Sequence, residues 1–350
     1  MAIFREIVFT KTPLRKTYRY RDIFQLVPYK SETGPDVTKY VVDYPCFLEY
    51  YLPDTEGGKR DFEAELAKER EICVLLTAFS VYRVFVYDIH ASSWGVKIPI
   101  FSIFDKREDE QAIRDQVSEF YYPVFYYRDR GKDLHIDSFT DPLENSRMRL
   151  LSRYYSFIHH EQDRFDVRNS AAEITFSKET ERCLNSYYSL DEDKKQKIFS
   201  AARLISDCIA LKDYRYSLSF LAGVAALEAL ADVVNEEDQV VEACPHCHAI
   251  QSSPYTCEKC GRPIWGIATK VKSFLKEYVS EKEEDLANYN KIYNLRSKIT
   301  HTGDIFTMDS IFKSSDRKKE TEFKLGYMLI SYARQAMIGV MASAQRLGDS

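Results

Sequence analysis

No apolar run in this 350-residue chain is long and charge-free enough to be read as a membrane span. The longest, "LSFLAGVAALEALADVV", is interrupted by Glu228 and Asp232, whereas a spanning helix takes about 20 apolar residues. The opening "MAIFREIVFTKTPLRK" lacks the apolar core of a secretory signal. Both absences point to a cytoplasmic protein with no membrane partner. An excess of one charge is missing too. Lys+Arg 49 against Asp+Glu 54 leaves a formal net charge of -5, so any nucleic-acid contact must come from local patches rather than the overall field. A disulfide framework is excluded by how the eight cysteines are used. Four form one cluster, while Cys46, Cys73, Cys183 and Cys208 are scattered through apolar segments, which is metal-site usage in a reducing compartment. There is no internal repeat and no low-complexity tract, only short solvated charge runs such as "DKREDEQ" and "EKEED".

What is present suits a globular protein of about two domains, 45% apolar and 29% charged. Residues 1–165 are rich in Tyr, Phe and Val in short runs that favour strands: "IFREIVF", "YRYRDIFQLVPY", "KYVVDYPCFLEYYL", "VYRVFVYDI", "VKIPIFSIF" and "FYYPVFYY". Between them "DFEAELAKEREICVLLTAFS" has helical spacing, with Asp61 placed as N-cap. This half is expected to be an α+β domain. The polar segment "HHEQDRFDVRNSAAEITFSKET" reads as the boundary, and residues 175–350 then turn helical. About five helices are expected there. The first carries Ser189 and Glu192 at capping-box spacing and an apolar face of Ile198, Ala201, Ile205, Cys208 and Ile209. The second, "YRYSLSFLAGVAALEALADVV", is apolar nearly all round and reads as the central core helix.

Residues 240–264 interrupt the helical pattern with "CPHCHAIQSSPYTCEKCGRP". Cys244 and Cys247, then Cys257 and Cys260, form two CxxC pairs whose thiolates can close tetrahedrally on Zn²⁺. Four protein ligands leave no open position for water or substrate, so the expected zinc-ribbon insertion is structural. His246 and His248 are spare candidates, and Lys259 and Arg262 on the second knuckle could touch phosphate but read first as solvated surface charge.

The segment "NKIYNLRSKITHTGD" carries Arg296 and His301 in the last turns of a helix that should stop at Gly303. At about 100° per residue, Arg296 and His301 lie about 140° apart, whereas Ser297 and His301 lie about 40° apart and share a face. Glu228 stands in an otherwise apolar helix and needs a partner, for which Arg296 is the candidate. If that pair is buried, breaking it should cost about 3 to 5 kcal/mol. Arg83 with His90, Arg130 with His135, and Arg153 with His159 or His160 have similar spacing but lie in strand, loop or boundary contexts.

"YNLRSKITHTG" resembles the RxxxxH motif of HEPN domains, particularly the Apea-like group, and "AALEAL" resembles the pattern of their earlier core helix, with Glu228 in the matching place. The resemblance covers roughly residues 175 to 345, from which the zinc ribbon departs as an insertion. It implies an all-α helical bundle and a metal-independent endoribonuclease in which the ribose 2'-OH attacks the adjacent phosphate, leaving 2',3'-cyclic phosphate and 5'-OH ends. The implied site is Arg296 and His301 with Glu228 in the matching place, to which Ser297 is added because it shares the His301 face, completed in a homodimer. The implied substrate is RNA, tRNA included, and the implied role is toxin or antiviral defence effector, with the N-terminal domain sensing a phage or other trigger. The rival reading is a non-catalytic HEPN and zinc-ribbon module that binds RNA, nucleotide or protein. A zinc-dependent hydrolase is disfavoured by the closed ligand set.

Overall fold

The computed structural model describes residues 2–12, 14–28, 44–52, 62–86, 135–143, 173–212, 214–235, 247–250, 257–261, 267–310 and 316–348, together with Cys244. The strand readings at 96–104 and 120–127, the N-cap reading of Asp61 and most of the expected boundary segment lie outside these residues. The chain divides into two compact units, residues 1–73 with 82–176, and residues 74–81 with 177–350.

The first unit is built on an antiparallel sheet of β1 (Ala2–Thr10), β2 (Tyr18–Tyr20), β3 (Phe24–Pro28), β4 (Tyr44–Leu52), β5 (Val84–Phe85) and β6 (His135–Ile136). The order is β2-β3-β4-β1-β5, with β6 also pairing β1. Helix α1 (Phe62–Phe79) follows β4, and Tyr50 donates its hydroxyl to the Glu65 carbonyl at 3.2 Å. This is the α+β layout that the aromatic runs predict.

Pleating sorts the side chains of this sheet by row. One row, Phe4–Tyr50–Phe24, is apolar and buried. The adjoining row of Arg5, Glu49 and Gln25 is polar, and its centre is fully buried. Glu49 accepts from Arg5 Nε at 2.9 Å, Arg5 Nη2 at 2.7 Å, Gln25 Nε2 at 2.7 Å and the Thr140 amide at 2.8 Å. A buried carboxylate is tolerated only with such a set of donors.

Among the described residues the second unit holds the last turns of α1 and six further helices: α2 (Lys178–Ser189), α3 (Glu192–Leu211), α4 (Tyr216–Asn235), α5 (Ile267–Tyr278), α6 (Glu283–Thr302) and α7 (Asp316–Gly348). Two refinements follow. Among the described residues the helical series starts one helix earlier than "SLDEDKK", with α2 opening at the end of the boundary segment: Ser177 caps it by accepting from the Thr180 amide, and Cys183, Leu184 and Tyr187 bury one face. Its cue, a capping serine followed by Glu179 and Glu181, was masked by the polar residues before it. The cap of α3 is Asp191, accepting from the Lys194 amide at 2.8 Å, and not Ser189, which closes α2.

The apolar face predicted for α3 is buried as expected. Helix α4 sits at the centre, with α3, α5, α6 and α7 packed on it. The expectation that α4 falls short of a span does not hold by length and composition, because Tyr216–Val234 reaches a mean hydropathy of 1.7 over 19 residues. Half of that window is buried in the unit, as in the core helix of a bundle. The four scattered cysteines are buried, and burial raises every one of their thiols, Cys183 to about 12 and Cys208 to about 11. They are unreactive core side chains.

Glu49→Ala should destabilise the protein by about 3 kcal/mol, because it removes the acceptor that Arg5, the buried Gln25 and the Thr140 amide share. The estimate sits at the low end because Arg5 keeps 26% of its side chain exposed. Urea unfolding of the two proteins measures the difference, and a change below 1 kcal/mol contradicts the assignment.

Candidate functional site

Helix α6 ends where the sequence says it should. Gly303 takes the left-handed conformation, φ 72 and ψ 13, that a helix terminator requires. The loop that follows is fastened on two sides. The Phe306 amide donates to Ser217 Oγ at 2.8 Å, and the Thr307 amide donates to Glu322 Oε2 at 2.8 Å. Asp309 accepts from the amides of Tyr216 and Ser217 at 2.9 and 2.6 Å, so a side chain 93 residues away caps α4. Phe306 packs edge-on against Phe220, with ring centroids 4.9 Å apart. These anchors hold the end of α6 against the start of α4. At the other end of α6, Asp285 accepts from Ser280 and Tyr332, both at 2.6 Å, which holds its carboxyl below the usual range.

One stripe of α6 faces α4. Tyr289, Tyr293 and Arg296 recur at i, i+4 and i+7, the spacing of a single helical face. Arg296 Nη2 lies 3.5 Å from Glu228 Oε2, and the guanidinium sits 5.9 Å from the Tyr293 ring centre. The partnership inferred for Glu228 and Arg296 is therefore present, but it is looser and wetter than a buried pair. The side chains keep 20% and 26% of their exposure.

The rest of the Glu228 environment is less accommodating. Its Oε1 is buried with no hydrogen-bond partner among the described residues, and the hydroxyl of Tyr289, a fully buried residue, is in the same condition. Burial raises the Glu228 carboxyl above its ordinary range, Arg296 pulls it back, and Asp232 one turn along α4 pushes it up again. Asp232 is itself paired with Lys270 of α5 at 2.5 Å. Burial and the nearby Glu228 both push the Tyr289 phenol upward.

His301 lies in the last turn of α6 and is exposed, forming no hydrogen bond or ion pair with any described residue. Ser297 is half-buried between Arg296 and His301. The structure thus joins Arg296 to Glu228 and leaves His301 open to solvent at the same helix end. Of the other Arg–His spacings, only Arg83 and His135 are described, and they belong to the sheet unit.

The four clustered cysteines form a second feature. The Sγ atoms of Cys244, Cys247, Cys257 and Cys260 all lie within 4.8 Å of one another, with Cys247 to Cys257 at 3.4 Å and Cys244 to Cys260 at 3.7 Å. Metal–sulfur bonds of about 2.3 Å place tetrahedral sulfurs about 3.8 Å apart, so the donor set fits a structural zinc.

Both CxxC turns are built alike. The residue after each second cysteine has positive φ, 57° at His248 and 66° at Gly261. Its amide donates back to the first cysteine's carbonyl at 2.8 Å in each case. Cys260 also donates its amide to Cys257 Sγ at 3.3 Å. His248 thus closes a turn, while the placement of His246 and Arg262 falls outside the described residues.

The residues that sequence reasoning missed are Tyr289 and Asp309. Tyr289 reads as an ordinary core aromatic, and no local signal ties Asp309 to the start of α4.

A double-mutant cycle on Glu228→Ala and Arg296→Ala should give a coupling of about 1 kcal/mol, below the 3 to 5 kcal/mol of a dry pair, because both groups keep contact with water. Thermal or urea unfolding of the four proteins reads it, and zero coupling contradicts the ion pair.

No protein-family model matches this chain, and comparison with curated proteins and with solved structures likewise finds no match.

Proposed function

We propose that this protein is a metal-independent endoribonuclease of the HEPN type. The observation that carries the reading is the end of α6. Arg296 is held loosely at 3.5 Å by Glu228 of the core helix, and His301 stands exposed five residues later, where the helix stops at Gly303. Cleavage by 2'-OH attack needs a proton acceptor, a proton donor and positive charge at the phosphorane-like transition state. An exposed imidazole serves the first two needs near neutral pH, and a guanidinium serves the third through its planar, permanently charged fork.

One imidazole cannot remove the 2'-OH proton and supply the leaving 5'-oxygen with a proton at the same moment. Two copies of the chain, each contributing Arg296 and His301 to one scissile phosphate, satisfy both demands. Ser297, sharing the His301 face of the helix, is assigned to ligand contact. The four-cysteine site binds zinc and cross-links the ribbon. Because its donor set is complete, the zinc takes no part in the reaction. We assign the aromatic N-terminal unit to sensing a trigger that restrains or releases the nuclease, in a cytoplasmic defence or toxin role. A binding module is the second reading, favoured by Lys259, which is exposed on the second CxxC turn and available to phosphate.

His301→Ala and Arg296→Ala should each lower RNA cleavage by at least 10²-fold, with the fold unchanged by circular dichroism in the histidine variant. Products should carry 2',3'-cyclic phosphate, and a brief EDTA treatment should leave the rate intact. Undiminished cleavage by the His301→Ala homodimer rules out the enzymatic reading.

One zinc per chain should be found by metal analysis of freshly purified protein. Serine at Cys244 and Cys257 should remove it and lower the melting temperature of the helical unit, because a structural site contributes folding free energy directly.

A further inference from the structure

We propose that Arg296 is exchanged between two anions, Glu228 in the resting protein and a phosphate of bound single-stranded RNA, and that Glu228 takes up a proton as the guanidinium leaves it. The inference rests on the reading of Arg296 as the phosphate-binding residue.

Three features of the geometry carry it. The contact between Arg296 Nη2 and Glu228 Oε2 is long for an ion pair, 3.5 Å and made through one oxygen. Strong guanidinium–carboxylate pairs form two parallel bonds at about 2.7 to 2.9 Å. Arg296 also keeps 26% of its side chain exposed, so a solvent-borne anion can reach the guanidinium. Finally, the other Glu228 oxygen is buried without a described donor, as is the hydroxyl of the fully buried Tyr289 on the same stripe of α6 as Arg296. When Arg296 turns to a phosphate, the carboxylate loses the one positive charge that acts on it among the described residues.

The surroundings then decide the protonation state. Helices α3, α5, α6 and α7 pack on α4. Among the described residues, the charges acting on Glu228 are Arg296 of α6 and Asp232 of its own helix, while Lys270 of α5 is occupied by Asp232. Tyr289 and Tyr293 of α6 bring only phenols. With Arg296 gone, burial and Asp232 both favour the neutral acid, and burial is already the largest influence on this group. The bound state therefore holds Glu228 protonated over a wider pH range than the free state, and by linkage RNA binding strengthens as pH falls. Glu228 in this scheme is a positioning residue: it restrains the free guanidinium, then releases it without leaving a buried charge.

The test uses the full-length protein carrying His301→Ala, which removes cleavage. The probe is a single-stranded 2'-O-methyl RNA oligonucleotide, which has no attacking 2'-OH. Binding is measured by calorimetry at pH 7 in two buffers of different ionisation enthalpy. The expected result is net proton uptake by the His301→Ala protein, with several-fold tighter binding at pH 6 than at pH 8. Adding Glu228→Gln should abolish the uptake, flatten the pH profile and tighten binding at pH 8, since a neutral amide no longer competes for Arg296. Adding Arg296→Ala instead should weaken binding and also abolish the uptake, which covers the case in which the glutamine variant does not fold. Binding without proton uptake, or uptake that persists with Glu228→Gln, overturns the exchange while leaving the nuclease reading standing. An absence of any RNA binding overturns both.

Discussion

Helix α4 is apolar nearly all round, and that single constraint organises the second unit. Phe220, Val224, Ala226, Leu227, Leu230 and Ala231 are all buried, so the helix is stable in water only when other helices cover most of its circumference. Four of them do so. Close approach is possible because Gly223 has no side chain: a Cβ there would sit 2.8 Å from Leu329 of α7 and 3.0 Å from the Cys208 sulfur of α3. The hydrogen bonds that Asp309 and Ser217 make at the start of α4 satisfy amides that would otherwise be orphaned in this packed setting.

Against that background Glu228 is the exception. A carboxylate one residue after Leu227 and two before Leu230 costs stability unless it is paired, and the pairing it receives is partial. Aliphatic side chains would fill this layer at lower free energy. A group kept in such a place at such a cost is a reasonable focus for function, and the exposed imidazole at the end of the facing helix is what gives the proposed chemistry its second component.

The sheet unit resolves a similar problem in the opposite way. Glu49 is more deeply buried than Glu228, yet its oxygens accept from Arg5, Gln25 and Thr140, so its position is rigid and fully compensated. The two glutamates illustrate a general distinction. A saturated buried carboxylate fixes a fold, whereas an undersaturated one leaves its partner free to be drawn elsewhere.

Much of this was legible from residue order. The strand content of the first unit follows from its β-branched and aromatic runs, and the buried face of α3 follows from 3.6-residue periodicity. The end of α6 at Gly303 and the gathering of four cysteines follow from local chemistry, because a left-handed terminator and a CxxC turn are each specified within a few residues. The pairing of Glu228 with Arg296 was also within reach, since a lone charge in an apolar helix demands a counter-charge. What the sequence left open is set by contacts across long separations. The looseness of that pair, the buried hydroxyl of Tyr289 on the facing helix and the capping of α4 by Asp309 depend on how α4, α6 and the 303–310 loop come together in space. Spacing along a chain fixes which face a side chain occupies, but only packing decides how near its partner stands and how much water remains between them.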